Sequence, residues 1–229
     1  MLAVLAWQIP VGSAAPVGGA ITASNDYVQR GVSQTDNHPV VQADLHFSPR
    51  DPWIMGAWAS PVRLLPGHQS LELNLYTNWR VPLGTAASAT LGATYYTFPN
   101  DPRAVSYNYL ELNAGLDWRD RILLSAYYAP SVTLFSFNYG RATHRQTWSA
   151  ELALSHPLAQ SLTAQIAIGY YDAIGLQGTG YSYGSASLAR DFGRVHAELS
   201  TIWVAAAAQR SYSPGRAGKP LNATISWQF

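Results

Sequence analysis

The chain has 229 residues, 48% of them apolar and 12% aromatic, but only 12% charged, about half the ~25% of an ordinary soluble domain. Net charge is +1 without a Lys/Arg run, so nucleic-acid binding has no electrostatic support, and the absence of cysteine excludes disulfides and thiolate metal sites. Mean hydropathy is −0.05, and no run of ~18 consecutive apolar residues offers a transmembrane helix.

From the N-terminus, MLAVLAWQIPVGSAAPVGG gives a short apolar segment followed by small residues. This is the pattern of a secretory signal with cleavage after Ala14 or Ala15, so residues 1–15 are expected to be a signal peptide. No Lys or Arg precedes the segment and Pro10 interrupts it, which fits a signal truncated by a late start assignment. From there on the chain breaks into twelve stretches with period-2 character: 19–32, 38–49, 53–62, 69–82, 86–97, 106–118, 121–132, 145–156, 161–171, 181–190, 194–205 and 220–229. Most exceed the usual strand of about 5–6 residues and approach the ~9–11 that cross a membrane with tilt. In the second, Val41, Ala43, Leu45 and Phe47 alternate with Gln42, Asp44, His46 and Ser48. In the sixth, Leu110, Leu112, Ala114, Leu116 and Trp118 alternate with Tyr109, Glu111, Asn113 and Asp117. Such alternation puts apolar side chains on one face and polar ones on the other.

The connections add an independent sign. Those after even-numbered stretches are short, around 48–52, 82–86, 118–121, 156–161 and 190–194. Those after odd-numbered ones are longer, at 98–105, 133–144, 172–180 and 206–219, with 33–37 and 63–68 as short exceptions. Short turns on one rim and long loops on the other, with an even strand count, describe a residue pattern suited to a membrane barrel. Trp79, Trp118, Trp227 and Phe229 fall near the short-turn ends, and Tyr27, Tyr95 and Tyr170 near the long-loop ends, as two aromatic girdles require. The chain closes on LNATISWQF, strictly alternating and ending on an aromatic residue. This ending resembles the C-terminal strand of bacterial outer-membrane barrels, which implies that Phe229 is an assembly signal read by the barrel assembly machinery. The competing reading is a soluble sandwich, whose apolar faces would need a second sheet to cover them.

The expectation is therefore an all-β fold: an antiparallel transmembrane β-barrel of about twelve strands over 16–229, termini on the periplasmic side, in contact with outer-membrane lipid. Its polar face would line a lumen with Asp26, Arg30, Asp44, His46, Glu72, Arg80, Glu111, Asp117, Arg121, Glu151, His196 and Glu198. Carboxylates outnumber arginines there, which biases a wet lumen toward cations. Twelve strands lie between barrels filled by side chains and wide porins, so a narrow pore and a plugged one both fit. Asp26 and Arg30 share parity on the expected first strand, roughly 13 Å apart, with Arg30 facing a carboxylate such as Asp44 or Glu72 and Gly31 bending the strand near the rim.

One stretch carries a family resemblance. Ser24-Asn25-Asp26-Tyr27-Val28-Gln29-Arg30-Gly31-Val32-Ser33-Gln34 is similar to a pattern close to S-x-D-Y-x-x-R-G-x-S-Q of the TorF family of porins, and Pro39-Val40-Val41-Gln42, Gly56-Ala57-Trp58-Ala59-Ser60, Glu72-Leu73-Asn74-Leu75-Tyr76, Tyr95-Tyr96 and Tyr109-Leu110-Glu111-Leu112 follow in the family's order. The resemblance implies an outer-membrane barrel with porin activity. Catalysis has no positive sign: G-x-S-x-G and H-E-x-x-H are absent, no residue set calls for a metal or cofactor, and a Glu111/Glu151 pair is the sole candidate for carboxylate chemistry. The sequence thus points to a passive channel for small polar solutes, or to a non-conducting barrel that binds through its long loops. Exchanging Glu72 and Glu111 for Gln is expected to weaken cation preference.

Overall fold

A computed structural model of the chain describes residues 17–50, 52–65, 68–101, 106–136, 141–172 and 178–229. The expected signal segment 1–15 lies outside them. Twelve strands form one closed antiparallel ring: β1 (Val17–Ser24), β4 (Val40–Arg50), β5 (Trp53–Leu65), β6 (His68–Leu83), β7 (Ala87–Thr97), β8 (Tyr109–Trp118), β9 (Ile122–Ser136), β10 (Arg141–Ala159), β11 (Leu162–Asp172), β12 (Tyr181–Phe192), β13 (Val195–Val204) and β14 (Lys219–Gln228). Each pairs with its sequence neighbour in the ring, and β1 closes it by pairing with β14 from Ala20 opposite Gln228 to Ser24 opposite Thr224. Closure leaves no unpaired edge, which a sheet in hydrocarbon requires.

The period-2 pattern sets the faces. Along β14, Leu221, Ile225 and Trp227 are exposed while Asn222, Thr224 and Ser226 are buried. The same split runs through β4, β6 and β8, so the outside is a band of Leu, Ile, Val and aromatic side chains and the inside is Ser, Thr, Asn and charged groups. An apolar exterior of this extent has no place in water and every place against lipid. It also removes the sandwich reading, because among the described residues no second sheet covers it. Phe47, Trp53, Trp79, Trp118, Phe192, Trp227 and Phe229 gather at the rim of short turns, with Trp53 stacked on Trp79 at 6.2 Å. Tyr95, Tyr128, Trp148 and Trp203 are exposed toward the other rim, where Trp148 packs on Tyr170 at 5.5 Å.

The short-turn rim carries the connections at 84–86, 119–121, 160–161 and 193–194. Left-handed residues tighten them: Gly84, Arg119, Asp120, Ser161 and Gly193 all have positive φ. Both Val17 and Phe229 lie at this rim. Phe229 seals the seam, since its N–H donates to the Gly19 carbonyl and its own carbonyl accepts from Gly19 N–H, both at 3.1 Å. Gly19 is needed there, because a Cβ would sit 2.7 Å from the Phe229 ring.

The opposite rim departs from expectation in three places. The first strand stops at Ser24 and not at residue 32. Residues 25–39 turn into the barrel, where β2 (Val28–Gln29) and β3 (Val32–Ser33) form a small hairpin. Its two-residue loop is Arg30–Gly31, with φ of +48° and +79°, the signature of a type I′ turn. The last long connection, 205–218, also folds inward and carries a short helix, α1 (Ala206–Ser211). By contrast, the expected long loop 133–144 is mostly strand, since β9 runs to Ser136 and β10 starts at Arg141.

Candidate functional site: a plugged, charged barrel interior

The two inward segments interlock. Gly218 N–H donates to the Gly31 carbonyl and Ser33 N–H to the Arg216 carbonyl, each at 2.8 Å, and Val32 bridges Ala217. Together they bring an apolar cluster into the barrel, with Val32 and Ala208 packed against Tyr181 and Tyr183 of β12. The wall beneath is thinned by Ala153 and Ala167, opposite one another in the β10–β11 register. A small hydrophobic core therefore sits inside a barrel whose lining is otherwise polar.

Three charge pairs hold this plug. Asp26 is fully buried, and its Oδ1 accepts from Ser33 Oγ at 2.7 Å and Thr35 Oγ1 at 2.6 Å while Oδ2 lies 3.3 Å from Lys219 Nζ. Arg216 Nε donates to Asp36 Oδ1 at 2.9 Å, and Arg216 also donates to the Arg63 carbonyl. At the hairpin tip, Arg30 Nη2 reaches Glu111 Oε2 of β8 at 2.6 Å. The guanidinium lies over the rings of Tyr127, on β9, and Tyr171, on β11, at 5.4 Å and 5.0 Å. Glu111 is positioned from the wall: Tyr96 donates to its Oε1 at 3.3 Å, and the Tyr96 ring stacks on Tyr109 at 4.5 Å. On the other side Tyr27 donates to Glu72 of β6 at 3.4 Å and meets the Trp58 ring edge-on at 5.2 Å. The hairpin thus touches wall strands on opposite sides of the barrel.

Several single-residue expectations change accordingly. Asp26 and Arg30 do not share a face of one strand, because the strand has ended before either. Arg30 meets Glu111 and neither Asp44 nor Glu72. Tyr27 belongs to the plug and is not a girdle residue. Arg121 lies exposed in a short turn and does not line the interior.

The remaining interior groups form two tiers. Near the plug, Glu72 and Glu151 are buried; Glu72 accepts from Asn74 Nδ2 at 2.7 Å and Glu151 from Tyr183. Among the described residues, no arginine or lysine pairs with either. Toward the short-turn rim the lining is wetter, with side-chain exposures of 22% for Asp44, 26% for Arg80 and 22% for Glu198. Asp44 bonds His46 Nδ1 and Tyr76 Oη, both at 2.8 Å. Arg80 donates to Ser88 at 3.0 Å, Asp117 caps the turn at Asp120 N–H at 3.1 Å, and His196 lies between Asp191 at 2.7 Å and Glu198 at 4.0 Å. The interior side chains are more exposed on the short-turn side and more buried on the long-loop side.

Lys219, Arg216 and the tyrosines around Arg30 were not among the expected site residues. The VAAAAQR run at 204–210 was a readable helix signal, and Asp36-Asn37 a readable turn. Val28 and Val32 put apolar side chains on the parity that is polar in β1, a local break in the pattern, whereas nothing local marks 205–218 as folding inward.

The fold is similar to that of solved outer-membrane channels. The NanC porin matches with a TM-score of 0.56 at 8% identity, over 92% of this chain and 97% of that one. The COG4313 outer membrane channel from Pseudomonas putida F1 matches with a TM-score of 0.53 at 12% identity, over 94% and 97%. No curated protein sequence matches. A family model does, over residues 11–227, and the chain therefore belongs to the family described as "Bacterial protein of unknown function (Gcw_chp)".

Proposed function

We propose that the protein lies in the bacterial outer membrane and acts as a passive, cation-preferring channel for small polar solutes, with residues 25–39 and 205–218 serving as its plug. The observation that carries this reading is the polar interior in which Glu72 and Glu151 face the lumen with no cationic partner among the described residues. Uncompensated carboxylates in a low-dielectric wall raise the local cation concentration. The likeness of residues 24–34 to the TorF-family pattern supports the same reading, as do an apolar exterior suited to outer-membrane lipid and a C-terminal strand suited to the barrel assembly machinery through Phe229. Residues 1–15 serve as its export signal in this account, and no catalytic step is assigned.

Planar-bilayer recording tests it. Stepwise conductance with a reversal potential on the cation side is expected, and Glu72→Gln with Glu151→Gln should move that potential toward zero. Glu111 is a poorer choice than the sequence implied, since Arg30 already neutralises it. Silence at every voltage, with and without the plug residues 26–36, would instead favour a non-conducting barrel that binds through its long loops.

A further inference from the structure

Arg30 occupies an unusual place. It is the first loop residue of a type I′ turn, where Asn, Asp or Gly is preferred because φ is positive. A long cationic side chain there carries backbone strain, and the turn gains nothing from it. What the side chain does instead is reach across the lumen to a site made by other strands. That site consists of the Glu111 carboxylate and the ring faces of Tyr127 and Tyr171. A carboxylate and two aromatic faces gathered around one point are an arrangement that receives a guanidinium, by a charge-assisted hydrogen bond and by cation–π contact.

The cage belongs to the wall and not to the plug. Tyr127 and Tyr171 stand on barrel strands, and Glu111 is held by Tyr96, itself stacked on Tyr109. None of these groups depends on the hairpin for its backbone. Without Arg30, Glu111 has no cationic partner among the described residues. Glu72 and Glu151 lie on the same tier and form no ion pair with Arg or Lys among the described residues, so the space Arg30 occupies favours positive charge.

We infer that Arg30 is a built-in surrogate for the transported solute, and that the Glu111–Tyr127–Tyr171 cage is a binding site for small solutes bearing a guanidinium group. This rests on the channel reading above and gives it a substrate class. A guanidinium solute competes with Arg30 for the cage, so solute arrival and plug release are coupled. The competition also lowers the apparent affinity of the intact protein, because the cage is free in only a fraction of molecules.

The test uses the full chain in detergent micelles, with arginine and citrulline as probes. The two differ only in the guanidinium and its uncharged ureido replacement. Calorimetric titration of Arg30→Gln should show arginine binding about tenfold tighter than citrulline, and tighter than to the wild type by a similar factor. Adding Glu111→Gln should bring the two probes to equal affinity. Heat-modifiable gel mobility verifies that each variant is a closed barrel. Should Arg30→Gln fail to assemble, the wild type and Glu111→Gln are compared in the same titration, where the preference for arginine should be present in the first and lost in the second. Equal binding of arginine and citrulline by a folded Arg30→Gln or wild-type barrel overturns the inference, as does a preference that survives loss of Glu111. Binding in micelles needs no conduction. A barrel that binds arginine selectively but is silent in bilayers would therefore refute the channel and leave the cage standing.

Discussion

Asp26→Ala is the perturbation that separates the plug from the barrel. The carboxylate has no solvent exposure, takes two hydroxyl donors within 2.7 Å and sits 3.3 Å from Lys219 Nζ. Hydrogen bonds to a charged group contribute about 1.5–3 kcal/mol each, and removing one member of a buried ion pair costs about 3–5 kcal/mol because the other is left unpaired. Lys219 can relax toward Asn37 Oδ1, already 3.1 Å away, so the lower part of that range, about 3–4 kcal/mol, is the expected loss. That corresponds to roughly two to three orders of magnitude in the opening equilibrium of residues 25–39. Amide exchange followed by mass spectrometry reads it directly. Ser33 and Gln34 N–H groups, bonded to the Arg216 and Tyr27 carbonyls, should exchange faster by that factor, while amides of β8 keep their protection. Asp26→Asn keeps the shape without the charge and should fall between. Unchanged exchange at 28–34, or equal loss across β8, would refute the view that these contacts close a plug independent of the barrel.

Two further predictions follow from the wall and the rim. Ala126 faces outward, in register with Ala114 and Ala150 on its neighbours; Ala126→Arg should cost about 2–4 kcal/mol in reversible urea unfolding from lipid vesicles, whereas Ser125→Ala on the inner face should cost only about 1 kcal/mol. Asp36 lies in the turn outside the strands, and the hydrogen bond from Arg216 holds its carboxyl below the ordinary 3.8. Its folded-state pKa is thus the lower one, so the pair contributes fully above that ordinary value and is lost as pH falls through the folded one. Acidifying the long-loop side below about pH 4 should raise open probability in the wild type, and Asp36→Asn should show that increment already at neutral pH, with a pH-independent wild type as the contrary result.

The barrel was legible because a sheet with an apolar face on one side and polar groups on the other must alternate, and most of the twelve stretches do so, Gly, Ala and Ser blurring 53–62 and 181–190. Strand number, face assignment and the short-turn rim follow from that single constraint. The plug was not legible for a related reason. Asp26 and Arg30 keep the even, polar parity of Thr22 and Ser24, so the stretch reads as more of the same strand, although Val28 and Val32 put apolar side chains on that parity. Its turn residues, Arg30-Gly31, lack the Asn-Gly or Asp-Gly form that signals a two-residue loop. What separates wall from plug is contact with residues far along the chain, such as Glu111, Arg216 and Lys219, and no local pattern encodes that. The interior charges show the same limit: parity placed Glu72, Glu111 and Glu151 inside, but not which of them would have a partner.

The division of labour between wall and plug has an energetic basis. The ring of strands satisfies its backbone within itself, and its apolar band is suited to lipid, so the ring's own hydrogen bonding needs nothing from residues 25–39 or 205–218. The plug has only a small apolar cluster, and Asp26, Asp36 and Arg30 must each find a partner on another segment. Buried pairs of this kind add little net stability when made, because desolvation offsets most of the attraction, yet breaking one is expensive. A segment held this way is sharply defined when closed and contributes little to the fold when open. A cation that relieves Glu111 of Arg30 removes one of the three anchors without leaving the carboxylate bare, which is the lowest-cost way for this plug to let go.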